Sequence, residues 1–387
     1  LFFSFAGQTQ TPVLSLEQVL DQAMTNNAGL ESQRISVSQQ RSLVPAAYNI
    51  DRTHIYYGYD ENNIAPNNQP LSIIGVEQTF QLPGVYRARQ ELQQGQASKQ
   101  EQVLRLEERH VAKEVSKAYL SIVYWAKRRD NFRYLDSLYR ELANAASRRY
   151  ELGETNYLEQ LSATSKQQEI TLQMQQCEDA LEESYQALNQ WLQTSDPFQV
   201  DTKEFPVLIA QDTSLSNHPA IAYFQQEEIN AASAVKVAQK EMLPDLQLAY
   251  FAGTNGAPEA AVYHGFQMGV GIPLWRKGGK AKITAAELQR NITAQQKLDY
   301  QIQLQTTSAR LQVQASKYER ALDYYRTNGQ QLAQEIINTS TRAFQTGEIN
   351  FLNYLQSLDQ AKRMENDYLD QRLQYYLTIL DLNYLLN

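Results

Sequence analysis

Tyr150-Glu151-Leu152-Gly153-Glu154-Thr155-Asn156-Tyr157-Leu158-Glu159-Gln160-Leu161 recurs as Phe344-Gln345-Thr346-Gly347-Glu348-Ile349-Asn350-Phe351-Leu352-Asn353-Tyr354-Leu355. The aromatic, Gly, Glu, Asn, aromatic-Leu and Leu positions fall in register at an offset of 194 residues. Reading outward, residues 50–57 align with 243–250, Phe80-Gln81-Leu82 with Ile272-Pro273-Leu274, and Asn26-Asn27 with Asn217-His218. Ordered matches at offsets of 191 to 194 mark a tandem duplication, with repeats at 14–200 and 201–387.

Within each repeat the periodicity changes in a fixed order. Residues 15–47 and 217–242 read as helix. Strand-like alternation follows, with Ile55, Tyr57 and Tyr59 on one face and His54, Tyr56 and Gly58 on the other. The partner strand sets Ile74, Val76, Gln78, Phe80 and Leu82 against Ile73, Gly75, Glu77, Thr79 and Gln81. The segment 60–70, rich in Asn and Pro, reads as the loop between them. The expected β-hairpins are 50–82 and 243–274, each strand about 10 residues long, enough to cross a bilayer at a barrel tilt. Helical hairpins are then expected over 84–193 and 279–386. Their first arms lack proline and are interrupted only by Gly95 and Gly329, and the Gly-Glu-x-Asn segments reverse the chain. An arm of 65 residues or so would be about 100 Å long.

Composition excludes several classes. The 387 residues carry a net charge of −8, so binding to a phosphate backbone of nucleic acid is not expected. A single cysteine, Cys177, allows no intramolecular disulfide and no Cys-based zinc site. His54, His110, His218 and His264 lie too far apart for a metal motif, so no resident metal or cofactor is expected. No nucleophile with a His partner and no catalytic carboxylate pair stands out. Trp275-Arg276-Lys277-Gly278-Gly279-Lys280 is basic and Gly-rich but lacks the P-loop spacing. An enzyme is therefore not expected. Residues 1–13 read as a signal-peptide remnant or linker, since Ser4-Phe5-Ala6 resembles the end of a secretory leader. No run of 18 apolar residues occurs, so membrane insertion would be by strands.

Four strands per chain cannot sit in lipid with open edges, so the chain must oligomerise. Two, three or four copies would close eight, twelve or sixteen strands. The apolar stripes of the helical hairpins are too narrow for a globular core, so these too must pack side by side. A soluble coiled-coil scaffold is one rival reading. A periplasmic adaptor is another, but it should carry a lipoyl-like β segment beside its helical hairpin, and none is visible.

The element order, the duplication and the aromatic-x-x-Gly-x-x-x-aromatic-Leu turn resemble the TolC family of outer-membrane efflux ducts over residues 14–386. Asn26-Asn27-Ala28-Gly29-Leu30 and Asn217-His218-Pro219-Ala220-Ile221 resemble its helix-start motif, and Pro273-Leu274 its strand-to-helix junction. The stretch 57–65, with Gly75-Val76-Glu77-Gln78-Thr79-Phe80, is similar to members serving heavy-metal pumps of the resistance-nodulation-division class. The resemblance implies an α+β membrane protein of Gram-negative bacteria: a homotrimer with a twelve-stranded barrel in outer-membrane lipid and an α-helical tunnel in the periplasm. It implies no catalysis. An inner-membrane pump supplies the energy, in some members fused upstream, which would account for an apolar start without Met. A periplasmic adaptor (membrane fusion protein) joins pump and duct.

The expected sites lie at the helical turns and strand ends. Gly153, Asn156, Gly347 and Asn350 suit the positive φ of a tight reversal, and the resemblance implies that they dock the adaptor. Glu151, Glu154 and Glu348 would place nine carboxylates near the tunnel entrance of a trimer, a ring that favours cations. Tyr56, Tyr57, Tyr59, Tyr250, Tyr263 and Trp275 are candidates for an aromatic girdle.

Overall fold

The computed structural model describes residues 12–209 and 218–386. Most of the expected leader remnant or linker, and Asn217 of the second helix-start motif, lie outside them. The chain forms two compact units, and each draws on both repeats. The described parts of Leu1–Glu31, Leu106–His218 and Ile302–Asn387 make the first unit; Ser32–Arg105 and Pro219–Gln301 make the second.

The first unit opens with β1 (Val13–Leu14), which pairs in parallel with β4 (Gln199–Val200). Val13 thus belongs to the fold, one residue earlier than the first repeat was expected to start. Ser15 caps α1 (Leu16–Asn26) in a reciprocal capping box with Gln18. The helix expected to run unbroken over 15–47 stops at Asn27, whose ψ of 113° is not helical. The cause is the Asn27 side chain. Its Oδ1 accepts from Leu30 N at 3.1 Å and so restarts the helix as α2 (Ala28–Ser42). Its Nδ2 donates to Trp191 O at 3.2 Å, and Ala28 N donates to Gln193 Oε1 at 2.8 Å, tying the break to the end of the helix Tyr157–Leu192. Beyond Ser42 the chain tightens into a 3₁₀ turn (Val44–Tyr48) with proline in its first turn.

Helix α3 (Pro83–Glu151) is 69 residues long and enters the first unit at Leu106; α4 (Tyr157–Leu192) is its antiparallel return. Val111, Val115, Tyr119 and Ile122 of α3 recur at helical spacing and are all buried. They cluster with Leu188 and Leu192 of α4 and with Leu369 and Leu380 of α8 (Phe351–Leu386). The matching arm of the second repeat differs. There α6 (Arg276–Tyr324) passes through a π turn (Tyr325–Gly329) into α7 (Gln330–Gln345). The break expected at Gly329 is a widened turn, not an interruption. Between the strand ends and the helical turns the repeat offset grows from 192 to 194 residues, and the π turn accommodates one of the two extra residues without ending the helix.

The second unit carries an antiparallel sheet in the order β2-β3-β5-β6, formed by His54–Ile64, Pro70–Phe80, Asp245–Thr254 and Tyr263–Gly271. The expected loop over 60–70 is shorter than read, because β2 continues to Ile64 through a register shift. Asp60 Oδ1 accepts from Asn62 N at 2.8 Å at that shift, and Asn68 turns the chain at φ 58°. One row across all four strands reads Tyr56, Gly75, Phe251, Gly265. The two rings lie where Cβ atoms of the glycines would be: at Gly75 a Cβ would come within 2.4 Å of Tyr56, and at Gly265 within 2.2 Å of Phe251. Aromatic rings over cross-strand glycines pin the register. In the same unit α5 (Pro219–Lys240) approaches α3 closely enough that Asn230 Nδ2 donates to Gly95 O at 3.1 Å. Among the described residues no helix is long and apolar enough to cross a membrane.

Two predictions follow from this packing. Gly75→Val should displace the Tyr56 ring and cost about 1–3 kcal/mol in unfolding experiments. Gly58→Val, on the same strand pair but with open space at its Cβ, should be near neutral. In the first unit, burial and the Arg109 guanidinium push the His218 imidazole down to about 4 from 6.5. The folded state therefore resists protonation. Its stability is complete above pH 6.5 and falls as pH drops towards 4, by about 3 kcal/mol at most. His218→Gln should flatten the dependence of Tm on pH across that window, and parallel curves for variant and wild type would refute the assignment.

Candidate functional site

Two surfaces carry the residues singled out in the sequence: the apolar face of the sheet and the two helical turns.

On the sheet, Ile55, Val76, Tyr250 and Phe266 lie side by side in one row across the four strands. All are exposed, Ile55 at 77% and Phe266 at 68%. Tyr57, Tyr59, Ile74, Met268 and Val270 extend the same exposed face. His54, Glu77, Ala249 and Gln267 form a row on the opposite face. Of the aromatic-girdle candidates, Tyr57, Tyr59 and Tyr250 belong to the apolar face. Tyr56 and Tyr263 do not: alternation along their strands turns them to the other side, and Trp275 lies beyond β6. His54 and His264 also fall on opposite faces, and His264 Nδ1 lies 2.6 Å from the Tyr250 hydroxyl. Among the described residues no group of three His, Cys, Asp or Glu side chains could hold a metal ion.

The helical turns share one construction. Gly153 and Gly347 adopt φ of 75° and 78°, the left-handed conformation that glycine takes without steric penalty. Glu154 N donates to Arg149 O, and Glu348 N to Ala343 O, each at 2.8 Å, closing the last helical turn. The two asparagines do not take positive φ. Each instead starts the returning helix: Asn156 Oδ1 accepts from Glu159 N at 2.9 Å, and Asn350 Oδ1 accepts from Asn353 N at 2.8 Å. Both hairpins enter one hydrophobic cluster, in which Tyr139, Ala146 and Ala163 of the first meet Phe351 and Leu355 of the second.

The turns differ in charge and exposure. Arg149 lies 4.0 Å from Glu154 and 3.1 Å from Glu159, whereas the matching position in the second turn is Ala343. Among the described residues Glu151 and Glu348 form no ion pair, and both are exposed. Tyr157 is 60% exposed and its counterpart Phe351 only 4%.

One cross-helix group escapes sequence reading. Arg128 Nη1 donates to Asp370 Oδ1 at 2.7 Å, and the Tyr124 hydroxyl donates to the same carboxylate. The guanidinium also sits against the rings of Trp125 and Phe132. Burial and the bond to Asp370 push the Tyr124 hydroxyl above its usual range. Tyr124 and Arg128 show helical spacing, but Asp370 is 242 residues beyond Arg128, and no local pattern links them.

Gly153→Val and Gly347→Val should each cost about 1–2 kcal/mol, because a β-branched side chain is strained at positive φ although space is available. Asn156→Ala should cost about 1 kcal/mol through the lost cap. Chemical unfolding of the single variants checks all three.

No protein-family model matches the chain, and no curated protein sequence matches it. Solved structures do. A membrane protein from Pseudomonas aeruginosa superposes with a TM-score of 0.79 at 16% identity, over 96% of this chain and 92% of that one. CusC, described with reference to folding and transmembrane channel formation, gives 0.82 at 14% identity over 100% and 95%. The Campylobacter jejuni CmeC outer membrane channel gives 0.78 at 14% identity over 100% and 90%. The chain has the fold of the TolC-like outer-membrane channels.

Proposed function

We propose that the protein is a passive exit duct in the outer membrane of a Gram-negative efflux system. The observation that carries this reading is the sheet. It pairs an exposed apolar face with two edge strands, β2 and β6, that make no further ladder among the described residues. In lipid each unpaired backbone group costs several kcal/mol, so the edges must be joined by other copies. Three copies give a twelve-stranded barrel, the count that the resemblance implies, and their helical hairpins would form the tunnel wall. Energy would come from an inner-membrane pump of the resistance-nodulation-division class, and a periplasmic adaptor would meet the turns at Gly153, Asn156, Gly347 and Asn350. The likeness of the first β-hairpin to heavy-metal members favours metal cations or small toxic compounds as cargo.

Light scattering with and without detergent tests the assembly. A detergent-dependent particle of three times the 44.3 kDa chain is expected. A monodisperse monomer in plain buffer would favour the soluble-scaffold reading and overturn this one.

The acidic entrance is testable separately. Glu348→Gln and Glu154→Gln together should lower cation preference in bilayer recordings. Glu348→Gln alone should have the larger effect, because Arg149 already offsets charge beside Glu154. Unchanged reversal potentials would remove the carboxylates from any selectivity role.

A further inference from the structure

After β6 the chain reads Ile272-Pro273-Leu274-Trp275-Arg276-Lys277-Gly278-Gly279-Lys280-Ala281-Lys282. Trp275 is 92% exposed and Leu274 78%, just beyond the end of β6. Four cations follow at once: Arg276, Lys277, Lys280 and Lys282. All are exposed, and among the described residues none has an ion-pair or hydrogen-bond partner. The next carboxylate along the chain is Glu287. At this end of the sheet Arg89 pairs with Glu241 at 2.7 Å and Lys236 with Glu91 at 3.4 Å, while Arg52, Arg87 and Lys240 add cations that form no ion pair among the described residues. The opposite end of the strands, with its hairpin loops, carries Asp60, Glu61 and Glu259 and no lysine or arginine. The two ends of the sheet therefore differ in sign.

Four unpaired like charges repel one another. At the start of α6 they also oppose the helix dipole, which favours acidic residues there; its first turn contains none. A local arrangement this unfavourable in water becomes favourable against an anionic surface. The adjacent tryptophan is the side chain that settles at headgroup level, with its ring towards the acyl chains and its N–H towards water.

We propose that this segment binds anionic glycerophospholipid headgroups at the membrane interface, with Trp275 and Leu274 seated at the acyl boundary and the four cations on the phosphates. The premise is the membrane insertion of the sheet proposed above.

The test uses the full chain reconstituted in phosphatidylcholine vesicles containing either brominated phosphatidylglycerol or brominated phosphatidylcholine. Bromine quenches tryptophan on contact. Trp125 and Trp191, packed against the hydrophobic cluster of the first unit, supply a constant background. The wild type should show at least about fivefold enrichment of phosphatidylglycerol at Trp275, the factor that one well-placed cation supplies. Raised salt should reduce the enrichment. The variant Arg276→Gln/Lys277→Gln/Lys280→Gln/Lys282→Gln should lose the enrichment yet still be quenched by brominated phosphatidylcholine, while an Arg276→Lys/Lys277→Arg exchange should retain it. Equal quenching by the two lipids in the wild type overturns the inference alone. No quenching by either lipid means that the sheet is not in a bilayer, and the membrane reading falls with it.

Discussion

Backbone hydrogen-bonding groups on the outer edges of β2 and β6 constrain this protein more than any side chain does. A four-stranded sheet exposing Ile55, Val76, Tyr250 and Phe266 in one row has no stable place alone in water or in lipid. Lipid would accept the apolar face but not the open edges, and water the reverse. Closure with further copies satisfies both demands. In the proposed assembly closure would also fix how many helical hairpins stand together, since each strand pair is covalently continuous with one hairpin.

Duplication supplies two copies of every part, and the copies have since diverged. The turns keep the features that backbone geometry demands: glycine at positive φ and asparagine as the helix cap. Where geometry makes no demand they have drifted. Arg149 corresponds to Ala343, exposed Tyr157 to buried Phe351, and a continuous α3 to an arm with a π turn. The first turn can offset its own acidic charge and the second cannot. The two turns are thus alike in shape and unlike in electrostatics.

Periodicity and repetition made most of the fold legible in the sequence. Both β-hairpins, both helical hairpins and the apolar strand faces could be read from alternation and from the aligned Gly-Glu-x-Asn segments. Features that depend on a single side chain meeting a distant backbone could not. The Asn27 side chain that caps α2 is held by Trp191 O, 164 residues away; the register shift after Asp60 is local, but alternation does not encode it. The roles of Asn156 and Asn350 were misread because turn formation and helix capping favour the same residue types. At the candidate site the glycines were legible from their spacing, whereas the pairing of Arg149 with Glu154 and Glu159 required the helical turn to be folded.

The close crossing of α3 and α5 bears on how the sequence can drift. A Cβ at position 95 would come within 2.0 Å of Asn230 Oδ1, and the Asn230 amide is satisfied by the Gly95 carbonyl. Gly95 cannot gain a side chain while Asn230 stays in place, whereas Asn230 can shorten alone at the cost of its bond to the Gly95 carbonyl. Most of the chain faces no such coupled condition. A substitution that adds bulk at position 95 therefore has to be accompanied by a shorter side chain at position 230, a condition that links two residues 135 positions apart.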